Sequence, residues 1–258
     1  MRTPFAAGFT IIETLLVLAV TGALVSGILL TVGASLNTQR YRDSVDSLKT
    51  TLQAQYSELG SVQNDRENNV SCNSAAQLSE DRAEVRGQSN CILLGKLVSI
   101  DRGEITFRTV LGVERAAASE TNDITSLRNN YILSVSELGV DTKLLEWGTE
   151  IAWPTRVNGE DRGGASTPRQ LSLLFIKSPD SGRFYTFSAD TAWESPTSAN
   201  LRSMVQNVES VPEKIICVDP QGLAPPEKLA IYIPGTAAVP SAIESRSNTL
   251  LGEQRSRC

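Results

Sequence analysis

The sequence predicts an α+β fold in which one long N-terminal helix, membrane-like in its first half and amphipathic in its second, packs on a mostly antiparallel β-sheet. Three observations carry this expectation. Residues 9–36 read FTIIETLLVLAVTGALVSGILLTVGASL, an apolar run in which Glu13 is the only charge. Tyr41, Val45, Leu48, Leu52, Tyr56 and Leu59 then recur at steps of three and four residues. From Cys91 onward the pattern turns to short runs rich in β-branched and aromatic residues, separated by turn-forming residues.

The apolar run comes first in the chain and is long enough to cross a bilayer, which takes about 20 residues of helix. It is too long for the apolar core of a secretory signal peptide, and that core should carry no carboxylate. As a plain anchor it would gain nothing from Glu13, because an acidic side chain at the centre of a membrane helix costs about 2.5–3.5 kcal/mol on insertion scales. Such a cost asks for a partner. The run also holds the small-residue pairs Gly22/Ser26 and Ala23/Gly27, the spacing that lets two helices approach closely.

The amphipathic continuation places Arg40, Arg42, Asp43, Asp46, Lys49 and Glu58 between its apolar positions, and Gly60 is suited to cap it. One helix from Phe9 to Leu59 is then about 75 Å long at 1.5 Å per residue. Strands are predicted at Cys91–Ile100, Glu104–Val113, Tyr131–Ser136, Leu171–Lys177, Arg183–Ser188, Lys214–Asp219 and Leu229–Ile233. Tight hairpins belong at Asp101-Arg102-Gly103 and at Ser178-Pro179-Asp180-Ser181-Gly182. Residues 60–90, 114–130, 155–169 and 189–212 read as long polar connections on the surface, where partner specificity would sit. With 258 residues, 40% of them hydrophobic, one sizeable core is expected and no second domain.

Composition excludes a good deal. The 24 basic residues are outnumbered by 29 acidic ones, so no strong field favours a polyanion. Histidine is absent, which removes imidazole-based triads and the commonest zinc ligand. Neither a Walker loop nor a GxGxxG or GxSxG motif occurs, and Glu120-Thr121-Asn122-Asp123 lacks the alternating ligands of a calcium loop. No catalytic residue, cofactor or metal is assigned, and the chain is not expected to be an enzyme. Trp147, Trp153 and Trp193 read as packing residues rather than a binding face.

Cys72, Cys91, Cys217 and Cys258 form no CxxC pair, so disulfides are the better reading. Three pairings are open; closure of the shorter loops favours Cys72 with Cys91 and Cys217 with Cys258. Arg246, Arg255 and Arg257 are candidates for phosphate contact near the C-terminus, but the acidity of the chain favours a solvated tail tethered by Cys258.

Around the start of the apolar run, Gly8-Phe9-Thr10-Ile11-Ile12-Glu13-Thr14-Leu15-Leu16-Val17 resembles the processing signal of type IV prepilins and type II secretion pseudopilins. The resemblance is specific over residues 8–34 and weaker, as layout, through Leu59. It implies a pilin-like fold and a division of the chain into a leader at residues 1–8, a membrane or filament-core half-helix at 9–36 and a globular domain at 37–258. By the resemblance a membrane peptidase cuts after Gly8 and methylates Phe9. Glu13 would then pair with the α-amino group of Phe9 on a neighbouring subunit and set the axial register.

Arg2 in the leader is consistent with a cytoplasmic N-terminus. The implied partners are other pilin or pseudopilin subunits, the prepilin peptidase, an inner-membrane assembly platform with its ATPase, and the membrane itself before assembly. The implied location is the bacterial inner membrane, single-pass, and then a pilus or periplasmic pseudopilus. The segment Lys214-Ile215-Ile216-Cys217-Val218-Asp219-Pro220-Gln221-Gly222 is also similar to minor pilins of the GspH/FimT type, some of which capture DNA through a basic C-terminal segment. A tip-located pilin binding DNA or a surface is therefore the alternative role.

Overall fold

The computed structural model describes residues 10–61, 71–79, 89–115, 122–152, 156–157, 160–161, 169–205, 211–223, 225–237, 239–247 and 256–258. A single helix, α1 (Ile11–Gly60), opens the described chain. Thr10 caps it, its hydroxyl accepting from the Glu13 N–H at 3.3 Å. Gly60 is the last helical residue rather than the cap expected there. The chain turns out at Ser61, which has extended backbone and donates its N–H to the Ser57 carbonyl at 2.9 Å.

Sixteen strands follow among the described residues, the first two pairing as β1 (Ser71–Cys72) and β2 (Leu78–Ser79). Next come β3 (Cys91–Asp101), β4 (Glu104–Glu114), the short helix α2 (Asp123–Asn129), β5 (Tyr131–Val135), β6 (Asp141–Leu144) and β7 (Glu150–Ala152). After β8 (Arg156–Val157) and β9 (Glu160–Asp161) the chain forms β10 (Gln170–Lys177), β11 (Phe184–Ala189) and the helix α3 (Ser198–Met204). It ends with β12 (Lys214–Asp219), β13 (Leu229–Ile233), β14 (Thr236–Ala237), β15 (Glu244–Ser247) and β16 (Ser256–Arg257).

Two antiparallel sheets dominate. One runs β14-β11-β10-β3-β4-β5, with β6 paired to the first half of β4; the other runs β15-β13-β12-β7. All seven strands expected from sequence are present, and both expected hairpins close. Asp101 pairs with Glu104 across Arg102 and Gly103, and Lys177 pairs with Phe184 across the second turn. The single expected sheet is in fact divided. Edge strands β7, β14 and β15 were not expected; they are short polar or mixed segments whose main-chain pairing leaves no period-two apolar pattern to read.

The larger sheet is covered on both faces. Its front face (Val98, Ile100, Ile105, Phe107, Leu171, Leu173, Phe175) packs with Tyr41, Val45, Leu48, Leu52, Tyr56 and Leu59 of α1 and with Ile216, Val218, Ile231 and Ile233 of the second sheet. Its back face (Leu97, Val110, Leu133, Leu174, Ile176) is closed by Ile124 and Leu127 of α2 and by Leu201 and Met204 of α3. Stretches 114–130 and 189–212, read as polar surface connections, thus contain the helices that seal the second core. Gly95 stands at a bulge in β3, where a Cβ would lie 2.2 Å from the Phe175 carbonyl oxygen of β10. No other residue allows that approach.

Candidate functional site

What the sequence singled out is the first half of α1, and its surroundings define it. Every residue from Thr10 to Leu36 is exposed, whereas burial begins at Tyr41 on the same unbroken helix. Leu30 is 78% exposed, Ile11 81% and Leu29 67%. A run this apolar is long enough to cross a membrane. Three of its hydroxyls bond within the helix: Thr21 donates to the Val17 carbonyl, Ser26 to that of Gly22 and Thr31 to that of Gly27, each at 2.8 Å. Gly22, Gly27 and Gly33 are each open, with no atom within 4 Å of where a Cβ would stand. Glu13 lies in the first turn, exposed, where the positive end of the helix dipole favours a carboxylate.

The second half of α1 holds the domain together. The Tyr41 hydroxyl donates to the Val218 carbonyl at 2.9 Å and accepts from the Leu229 N–H at 2.8 Å, tying the helix to β12 and β13. Burial pushes its phenol up. Tyr56 packs between Phe175 and Phe184, ring centroids 4.7 and 5.4 Å away, and its hydroxyl bonds to Thr186; burial holds this phenol at about 12. Lys96 of β3 reaches the Glu58 carboxylate at 2.6 Å. The exposed half-helix is therefore a rigid extension of a core element, not a flexible tether.

Elsewhere the polar groups act as clasps. Asp123, at the start of α2, accepts from Ser178, Ser181 and, at 2.7 Å, Tyr185, fixing the β10–β11 hairpin to that helix. Burial alone would push its carboxyl up, but these hydrogen bonds, with Arg183 nearby, outweigh it and hold the group below its ordinary value. Arg169 joins the two sheets by pairing with Glu150 and, at 3.2 Å, Asp219. Sequence reasoning passed over these residues because each lies in a polar stretch whose partners are remote in the chain. The Asn122 cap of α2, and the capping box of Thr197 and Asn200 at α3, were the local signals available.

The remaining expected residues fall as follows. The disulfides are Cys72–Cys91 and Cys217–Cys258, with Cα atoms 5.9 and 5.4 Å apart. Gly8, Phe9, Arg255 and Trp153 lie outside the described residues. Arg246 is engaged within the domain, 2.8 Å from Glu244 and 4.2 Å from the centre of the Tyr232 ring, and the backbone of Arg257 pairs with that of Arg156 in β8. Trp193 packs against the second core, whereas Trp147 is exposed.

Comparison with protein-family models, with curated proteins and with solved structures finds no match. What is on hand is the geometry: an apolar half-helix rigidly continuous with the core of an α+β domain carrying two disulfides.

Proposed function

We propose that the chain is a structural subunit of a type IV pilus or type II secretion-like filament, cleaved between Gly8 and Phe9 and assembled through the first half of α1. The observation that carries this reading is that one helix is wholly exposed and, Glu13 apart, uncharged and mainly apolar from Ile11 to Leu36, yet forms the centre of the domain core from Tyr41 onward. An apolar helix of that length needs another apolar environment, and two are available in succession: the inner membrane before assembly and the packed helices of a filament after it. Glu13 would compensate the α-amino charge of Phe9 on the neighbouring subunit, and the small-residue pairs Gly22/Ser26 and Ala23/Gly27, whose glycines are open, would let helices approach. The disulfides fit a domain held outside the cytoplasm. The partners that follow are other pilin-like subunits, the prepilin peptidase and the assembly platform.

The test is assembly itself. Glu13→Val should leave the protein in the membrane fraction but remove it from filaments sheared and sedimented from cells. Unchanged recovery in filaments would count against the assembly role of Glu13.

A further inference from the structure

We infer that the turn carrying Leu144 and Trp147 is a membrane-facing foot of the globular domain, seated in the phospholipid headgroup layer of the bilayer that holds α1. This rests on the reading of α1 as a membrane span. Leu144 ends β6 and is 70% exposed, and Trp147, in the one-turn 3₁₀ helix that follows (Glu146–Gly148), is 52% exposed. Two large apolar side chains left open within four residues of chain are suited to a covering surface.

Position decides what that surface is. Arg40 of α1 lies 4.9 Å from the centre of the Trp147 ring. It is only four residues beyond Leu36, about 6 Å of helix rise, and side chains on a helix lean toward its N-terminus. From Glu13 to Arg40 the rise is about 40 Å, against about 40–45 Å for a bilayer with its headgroups. The indole and the guanidinium therefore stand at the outer headgroup level, where tryptophan is enriched and a cation meets lipid phosphate. The Glu146 carboxylate turns back toward α1, accepting from Ser47 at 2.8 Å.

The backbone supplies an independent sign. Trp147 has φ +57°, the left-handed region that a bulky residue seldom occupies. It is held there on both sides: Leu145 donates to the Gly103 carbonyl at 2.7 Å, and Thr149 donates its N–H to the Glu146 carbonyl at 3.2 Å and bonds through its hydroxyl to Ser44 of α1 at 2.5 Å. The strained conformation turns an aromatic ring outward rather than into the core, an arrangement of the kind that marks functional positions.

The full chain reconstituted in phosphatidylcholine vesicles tests this by tryptophan quenching, with nitroxide on the lipid headgroup or at the end of the acyl chain. Flotation reports insertion of α1 separately. The expected result is stronger loss of emission with the headgroup nitroxide, in a component present in the wild type and missing from Trp147→Phe. Protein that floats with the vesicles but shows no such component overturns the foot while leaving the membrane span intact. A blue shift that grows with protein-to-lipid ratio and ignores the nitroxide assigns the patch to a second copy of the chain and equally overturns it. Failure to float removes the span and the foot together.

Discussion

Tyr41 sits where α1 enters the domain, and its single hydroxyl serves both strands at the centre of the second sheet. Tyr41→Phe leaves the partly buried Leu229 N–H without that acceptor and the Val218 carbonyl without its donor, so it should destabilise by about 1–3 kcal/mol, seen as a lower denaturant midpoint at unchanged slope. Asp123 makes a different prediction. Its carboxyl is held below its ordinary value, so the stability it contributes is fully present above the unfolded value and is lost as pH falls through the folded one. The stability gap between wild type and Asp123→Asn should therefore be widest near neutrality and shrink as pH drops below about 4. A gap that stayed constant, or widened in acid, would assign the loss to something other than the ionised carboxylate.

At the scale of elements, α1 is two helices in one: the same backbone, with different surroundings for each half. Leu52→Ala removes a fully buried side chain and should cost about 2–5 kcal/mol in unfolding of the domain. Leu24→Ala, on the exposed half, should leave that unfolding within about 0.5 kcal/mol of wild type. The two disulfides also divide by scale. The residues they join are 41 apart in Cys217–Cys258 and 19 apart in Cys72–Cys91. Chain entropy then predicts a loss of about 4 kcal/mol on removing the first and about 3 on removing the second, comparing paired Cys→Ala variants.

These elements also show what could be read in advance. The buried stripe from Tyr41 to Leu59 announces itself because burial of one face imposes a period of 3.6, and the main strands because strands buried on both faces read as short β-branched and apolar runs between turn residues. Strand β6, Asp-Thr-Lys-Leu, is exposed throughout and paired only through its backbone, so no side-chain pattern marks it. Helices α2 and α3 are seven residues each, too short for a full amphipathic repeat, and only their caps betray them. The long N-terminal helix was legible because its apolar run is continuous, expected from Phe9 to Leu59 and found over Ile11–Gly60. The clasps of Asp123 and Arg169 were not, since their partners come together only in the folded chain.

For the molecule as a whole, the central claim is that an N-terminal apolar half-helix, processed at Gly8, joins a rigid disulfide-bonded domain to a membrane and then to a filament. The unbroken helix, buried from Tyr41 onward, ties the exposed half to the domain, and Arg40 packs on Trp147 just before that burial begins. Mass spectrometry of the N-terminus of the protein from native cells, compared with a Gly8→Ala variant, addresses the claim most directly. The expected result is a mature chain beginning at methylated Phe9 in the wild type and an uncleaved chain in the variant. An intact leader in both would contradict processing and leave residues 9–36 as an anchor alone.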